Sequence, residues 1–264
     1  MSDSPAAEEQ VLFKMLTTHI ALVTLNRPDK RNAISPEIAK AMDAIVNKVE
    51  NDPEIRVVLL NSSEPRVFCA GADLAAIAAG RGRELDTTTG GFGGFVYIAR
   101  QTPWIAVVEG MALAGGAEMC LACDMIVASE TAKFGLPETK RGLMAGAGGV
   151  HRLVNAVPRN IAYEMLATGD SFDASIAYRF GLVNRLVPAG EALAAALELA
   201  ETIAANAPLA VQHTLSAAKE SYNQPDGAGR AFVANRMIAL RKTEDFKEGP
   251  RAFLEKREPV WTGR

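Results

Sequence analysis

Residues 103–119 read Pro-Trp-Ile-Ala-Val-Val-Glu-Gly-Met-Ala-Leu-Ala-Gly-Gly-Ala-Glu-Met, residues 123–129 read Cys-Asp-Met-Ile-Val-Ala-Ser, and residues 134–138 read Phe-Gly-Leu-Pro-Glu. The runs 104–109 and 125–129 are apolar up to their last residues, Glu109 and Ser129, as buried strands are. Between them a glycine turn leads to Gly115-Gly116, which open a helix that contains Glu118. A glycine pair at a helix start leaves bare backbone N–H groups at the positive end of the helix dipole. One carboxylate lies a turn inside that helix and another, Glu138, follows the next strand. Two titratable groups beside free N–H donors are the minimum needed to stabilise an oxyanion while a proton or a water moves.

Outward from this stretch the chain alternates. Residues 11–16 and 19–25 read as a hairpin, and Ser35-Pro36 as the N-cap and first residue of a helix that Asp52-Pro53 stops. Residues 55–60, 67–70 and 183–187 read as further strands. From Gly190 onward the pattern is helical, with helices to about residue 206, after Pro208 and around 228–240, then a short segment after Gly249-Pro250. The fold class is therefore α/β, with a core over residues 11–190, a helical region over 191–264 and a flexible tail over 1–10. Residues 78–94 are rich in glycine and lack periodicity; they fit a mobile loop beside a site or a surface excursion, and composition favours the second.

Composition excludes several classes. With 264 residues, 48% hydrophobic and 22% charged, the chain is long enough to bury a core and ordinary for a globular protein. A net charge of −3 offers no case for a nucleic-acid or anionic-membrane partner. No apolar run reaches the roughly eighteen residues of a membrane span, and residues 1–10 hold no secretion signal, so cytoplasm is the expected compartment. Cys69, Cys120 and Cys123 sit in apolar runs as buried thiols. His19, His151 and His213 lack ligand spacing, so no metal is expected. There is no Gly-x-Ser-x-Gly elbow, Walker loop or dinucleotide fingerprint.

On residue type alone, Glu118 is either a helix-dipole acid or a buried chemical group, and Glu138 either a turn acid or its partner. Further segments sharpen the choice. Asn26-Arg27-Pro28 with Asn32-Ala33, Phe68-Cys69-Ala70-Gly71-Ala72-Asp73-Leu74, Gly110-Met111-Ala112 through Gly115-Gly116-Ala117-Glu118, Cys123-Asp124, Phe134 to Glu138 and Gly146-Ala147-Gly148-Gly149 follow one another in an order that resembles the crotonase (enoyl-CoA hydratase/isomerase) superfamily. Gly181-Leu182-Val183 and residues 252–257 close the match.

The resemblance implies a spiral of ββα units with a helical C-terminal trimerisation region, assembled as a homotrimer or homohexamer. It implies an acyl-CoA thioester substrate and no separate cofactor, coenzyme A being part of the substrate. It places the oxyanion hole at the N–H groups of Ala72 and Gly115, with Glu118 orienting and deprotonating water and Glu138 protonating Cα. Arg27 and Lys30 would lie near the adenosine end, and Ala70, Asp73 and Leu74 belong to the segment lining the thioester and pantetheine. Met144 would lie by the acyl pocket. Phe253 and Lys256 belong to the closing segment, with Lys256 on the 3′-phosphate of a neighbouring subunit's CoA. Lys30 and Arg31 also fit a plain solvated turn. Ala114 stands where many hydratases have a third glycine, Met144-Ala145 replaces a usual proline, and Val150-His151 a Thr-Gln-like pair.

The expectation is reversible hydration of a trans-2-enoyl-CoA. The tail from Glu248 to Arg264 looks closer to crotonobetainyl-CoA hydratases (carnitinyl-CoA dehydratases), which makes that the nearest alternative. An enoyl-CoA isomerase is disfavoured by the presence of both acids, and a non-catalytic RNA-binding member by the lack of a basic stripe.

Overall fold

The computed structural model describes residues 10–264. Of the expected tail, residues 1–9 lie outside the described residues, whereas Gln10 is buried: its side chain accepts from the Ser35 hydroxyl at 2.8 Å and its carbonyl from the Asn26 N–H.

The chain opens with the antiparallel hairpin β1 (Val11–Met15) and β2 (Ile20–Leu25), followed by α1 (Pro36–Glu50). Three times a strand pair then follows: β3 (Val57–Ser62) with β4 (Val67–Cys69) and the short α2 (Leu74–Ala78), and, after the minor strands β5 (Asp86–Thr87) and β6 (Gly91–Phe92), β7 (Trp104–Val108) with β8 (Met111–Leu113) and α3 (Gly115–Ala122), then β9 (Met125–Ser129) with β10 (Lys133–Gly135). In each pair the first strand joins a six-stranded sheet, order β1-β2-β3-β7-β9 and a last strand, and the second joins a smaller sheet. β2, β3, β7 and β9 run parallel, as do β4, β8 and β10. This alternation between two sheets is the expected ββα spiral. After α4 (Gly149–Ala156) and α5 (Arg159–Thr168), β11 (Phe172–Asp173) closes the small sheet, and after α6 (Ala174–Arg179), β12 (Arg185–Val187) closes the large one. Helices α7 (Ala192–Ala204), α8 (Pro208–Ser221), α9 (Asp226–Leu240) and α10 (Glu244–Glu255) complete the chain.

Strand pleat explains the two cores. Side chains alternate across the large sheet, so Val58, Leu60, Trp104, Ala106 and Val108 face the spiral interior. Val57, Leu59, Ile105 and Val107 face the other side, where Ala192, Ala196, Ala200 and Ala204 form one small-residue face of α7. No single helix among the described residues is long and apolar enough to cross a membrane.

Two expectations are corrected. The glycine-rich residues 78–94 are a surface excursion only in part: residues 78–84 are largely exposed, but Leu85 and Phe92 are buried, and a Cβ at Gly94 (φ +64°) would lie 2.0 Å from the Ala39 carbonyl oxygen on α1. Gly90, Gly91 and Gly94 serve close packing, whereas a Cβ at Gly80 would meet open space. Nor does Gly249-Pro250 separate a short final segment. Pro250 lies inside α10, whose start is fixed by the Thr243 hydroxyl accepting from the Phe246 N–H and by Glu244 and Asp245 in the first turn. Buried Asp245 and Glu248 then strap the tail to this helix, accepting from the N–H groups of Thr262 and Val260.

Candidate active site

Because β4, β8 and β10 are parallel neighbours, the residues after all three arrive at one sheet edge. After β4 the chain passes Gly71 (φ +96°) and makes a bridge in which the Ile34 N–H donates to the Gly71 carbonyl and the Asp73 N–H to the Ile34 carbonyl. The Ala72 N–H between them points the other way. After β8 comes Gly115, the first residue of α3, whose N–H has no intrahelical acceptor. The two segments touch: a Cβ on Gly71 would lie 2.7 Å from Ala114 Cβ and 3.2 Å from Gly115 N. Among the described residues, neither N–H is used by the surrounding backbone hydrogen bonds. A Cβ on Gly115 would strike the Phe92 ring at 2.3 Å, and one on Gly116 the Cys69 carbonyl at 2.3 Å, so both glycines are required by close approach.

Ala114 occupies φ 50°, ψ −128°, a region that suits glycine. Its N–H donates to the Gly135 carbonyl and its carbonyl accepts from the Glu118 N–H, which hold it there. Ala114→Gly is therefore expected to stabilise the protein by about 1 kcal/mol, since relief of strain outweighs the added freedom of the unfolded chain. Urea unfolding of both proteins measures this, and a lower midpoint for the variant would contradict it.

Glu118 is 3% exposed, and its Oε1 accepts from the Gly149 N–H at 2.9 Å, at the start of α4. Burial pushes its carboxyl from 4.5 up to about 7; the Glu138 charge adds to the rise, while the N–H groups of Gly149 and Ala147 and the Arg152 guanidinium oppose it. Gly149 has no room for a side chain, because a Cβ would lie 3.0 Å from Glu118 Oε1, 2.8 Å from Ala145 Cβ and 3.0 Å from Leu136 Cδ1. Glu138 stands in the 3-10 turn after β10, partly buried, its carboxyl also raised by burial. Its Oε2 is buried with no hydrogen-bond partner among the described residues, an unpaired acid oxygen that calls for an explanation. Two protonatable carboxyls and two unused N–H donors thus share one edge, an arrangement able to hold an oxyanion and shuttle a proton.

The other expected residues lie at different distances from this centre. Ala70, Asp73 and Leu74 follow β4 directly, and Leu74 is exposed. Asp73 caps α2 through the N–H groups of Ala75 and Ala76 and holds Arg27 at 2.7 Å. Arg27 also donates to the Ala33 carbonyl, so its guanidinium braces the turn, leaving Lys30 and Arg31 as the exposed cations there. Met144 is 71% exposed in the loop leading to Gly149. Phe253, 83% exposed, and Lys256, a left-handed C-cap (φ 54°), belong to α10, where no hydrogen bond or ion pair joins them to the acids among the described residues. Sequence reasoning assigned no role to Gly149 or Arg152; the signal available was the Gly148-Gly149 pair opening a helix.

The profile of the enoyl-CoA hydratase/isomerase family matches residues 16–264. A carnitinyl-CoA dehydratase of Salmonella enteritidis is 39% identical over 247 residues, covering 92% of this chain and 94% of that protein. The crystal structure of an enoyl-CoA hydratase from Mycobacterium tuberculosis superposes with a TM-score of 0.92 at 40% identity, over 97% of this chain and 100% of that one. A carnitinyl-CoA hydratase from Mycobacterium avium gives a TM-score of 0.75 at 42% identity, over 97% and 99%.

Proposed function

Because the chain belongs to the enoyl-CoA hydratase/isomerase family, we propose that this hydratase-type lyase adds water reversibly across the double bond of a trans-2-enoyl-CoA. The observation that carries the reading is the pair of raised carboxyls, Glu118 and Glu138, on the same edge as the unused N–H groups of Ala72 and Gly115. The thioester carbonyl accepts from those two N–H groups, which gain strength as the oxygen becomes an enolate. Ionised Glu118 takes a proton from water as the water oxygen bonds to Cβ. Protonated Glu138 then delivers its proton to Cα, and the carbonyl re-forms. The working state holds one proton between the two acids. Dehydration runs from the other placement of that proton, on Glu118, which is the placement burial favours.

Lys30 and Arg31, free on the early turn, are cations suited to the CoA phosphates. The same reading includes a homotrimer or homohexamer, supported by Val233, Met237, Ile238, Phe253 and Leu254 exposed on α9 and α10. Sedimentation of the purified protein measures it.

A second reading, hydration of crotonobetainyl-CoA, is favoured by the names of the relatives above. The apolar Met144, expected by the acyl pocket, favours a plain acyl group, since a quaternary ammonium is best held by aromatic faces. The decisive assay follows loss of the conjugated thioester absorbance with each substrate. Faster turnover of crotonyl-CoA is expected; turnover of crotonobetainyl-CoA alone would select the second reading, and turnover of neither would remove both.

A further inference from the structure

The loop from Ala145 to Gly149 carries the N–H groups that meet Glu118, and it is held from outside by side chains with no assigned role. Tyr97, on the segment after β6, donates its hydroxyl to the Gly146 carbonyl at 2.9 Å. Arg152 donates to the Ala147 carbonyl at 3.3 Å and to the Val96 carbonyl. Two consecutive carbonyls of the loop are thereby tied to residues 96–97.

The ring that carries the hydroxyl is itself held. A Cβ on Gly91 would lie 2.4 Å from Tyr97 Cδ2, His151 stacks on the ring at 6.5 Å and 13°, and the Arg152 guanidinium sits 5.3 Å from its centroid. The Tyr97 N–H donates to the Gly90 carbonyl. Although Tyr97 is 51% exposed, its hydroxyl has a defined direction.

The Gly146 carbonyl and the Ala147 N–H belong to one planar peptide, in which they point in opposite directions. Drawing the carbonyl toward Tyr97 turns the N–H of the same unit toward the interior, where Glu118 lies. A hydrogen bond to the carbonyl also polarises that N–H and strengthens what it donates. Two residues after Ala147, Gly149 makes the 2.9 Å bond to Glu118 Oε1. We infer that Tyr97 is a positioning residue: through the Gly146–Ala147 peptide its hydroxyl holds the loop's backbone N–H groups on the Glu118 carboxyl. The inference rests on the role of Glu118 proposed above.

Tyr97→Phe keeps the ring and removes only the hydroxyl. The charged groups acting on Glu118, namely Glu138 and Arg152, and the neighbouring His151 remain in the variant. The test uses the full chain with crotonyl-CoA between pH 5 and 9, comparing parent, Tyr97→Phe and Glu118→Gln. Loss of one net hydrogen bond is expected to lower kcat about three- to tenfold, with KM within about twofold. Looser donors disfavour the carboxylate, so the alkaline limb of kcat should move up by about half a pH unit. Parental kcat and an unmoved limb in Tyr97→Phe, with Glu118→Gln inactive, would overturn this inference alone. A rate loss with an unmoved limb and a lowered Tm would make Tyr97 a brace of the fold and also overturn it. Full activity in Glu118→Gln would remove the reading of Glu118 and the inference together.

Discussion

Glu118→Gln and Glu138→Gln are each expected to lower kcat for hydration of crotonyl-CoA by about 10²–10⁴-fold, with KM changed by no more than a few fold. Gln has the shape of Glu, and its carbonyl oxygen can still accept from the Gly149 N–H that now holds Glu118. What the substitution removes is a proton that can be given or taken. Binding rests on the N–H groups of Ala72 and Gly115 and on the CoA portion, none of which is altered. Because each turnover needs one acid ionised and the other protonated, removing either stops the same step. The double variant should therefore be little worse than a single one. Progress curves with crotonyl-CoA for the parent, both single variants and the double variant decide the matter. A single variant that keeps more than a tenth of the parental rate would take that glutamate out of the mechanism. Losses that multiply in the double variant would mean that the two acids act in separate steps.

What could be read from the sequence was local. A Gly-Gly pair after an apolar run, with an acid three residues on, marks a helix N-terminus with a buried carboxyl, and α3 with Glu118 is that element. Uniformly apolar runs marked β3, β7 and β9 because a strand covered on both sides needs no alternation. The strands β8, β10 and β11 have two or three residues, too short for a period to show, yet they assemble the edge on which the acids meet. Residues 78–94 misled for a physical reason: glycine is chosen both for freedom and for closeness, and composition cannot tell the two apart. At Gly94, pressed on Ala39, closeness is the cause. The pairing of Arg27 with Asp73 could not be read because the two are 46 residues apart. The Gly149 bond to Glu118 spans 31 residues and uses backbone on one side, so no side-chain type announces it.

Glu118→Gln is also expected to stabilise the protein at alkaline pH, by about 3 kcal/mol at pH 8. Burial raises the folded-state pKa of this carboxyl from 4.5 to about 7. A raised acid binds its proton more tightly in the folded state, so its favourable contribution is complete below about pH 4.5. It is lost as pH rises to about 7, where folding must bury a charge. A rise of that size corresponds to about 3 kcal/mol. Glu138, raised in the same direction by burial, adds to the loss, while Asp73 and Glu37, lowered, work the other way. Those contributions stay in the variant and cancel in the difference between the two proteins. Gln cannot ionise and still accepts from Gly149, so the variant's advantage should be near zero at pH 4.5 and grow through pH 7 to a plateau. Urea midpoints at pH 5, 6, 7 and 8, taken at one protein concentration, trace that curve. A difference that stays flat with pH would mean that Glu118 ionises at an ordinary value and that the wall around it is wetter than its burial implies. A difference that grows as described would mean that the fold gives up stability to keep this proton in place near neutral pH, where the proposed reaction needs one proton between the two acids.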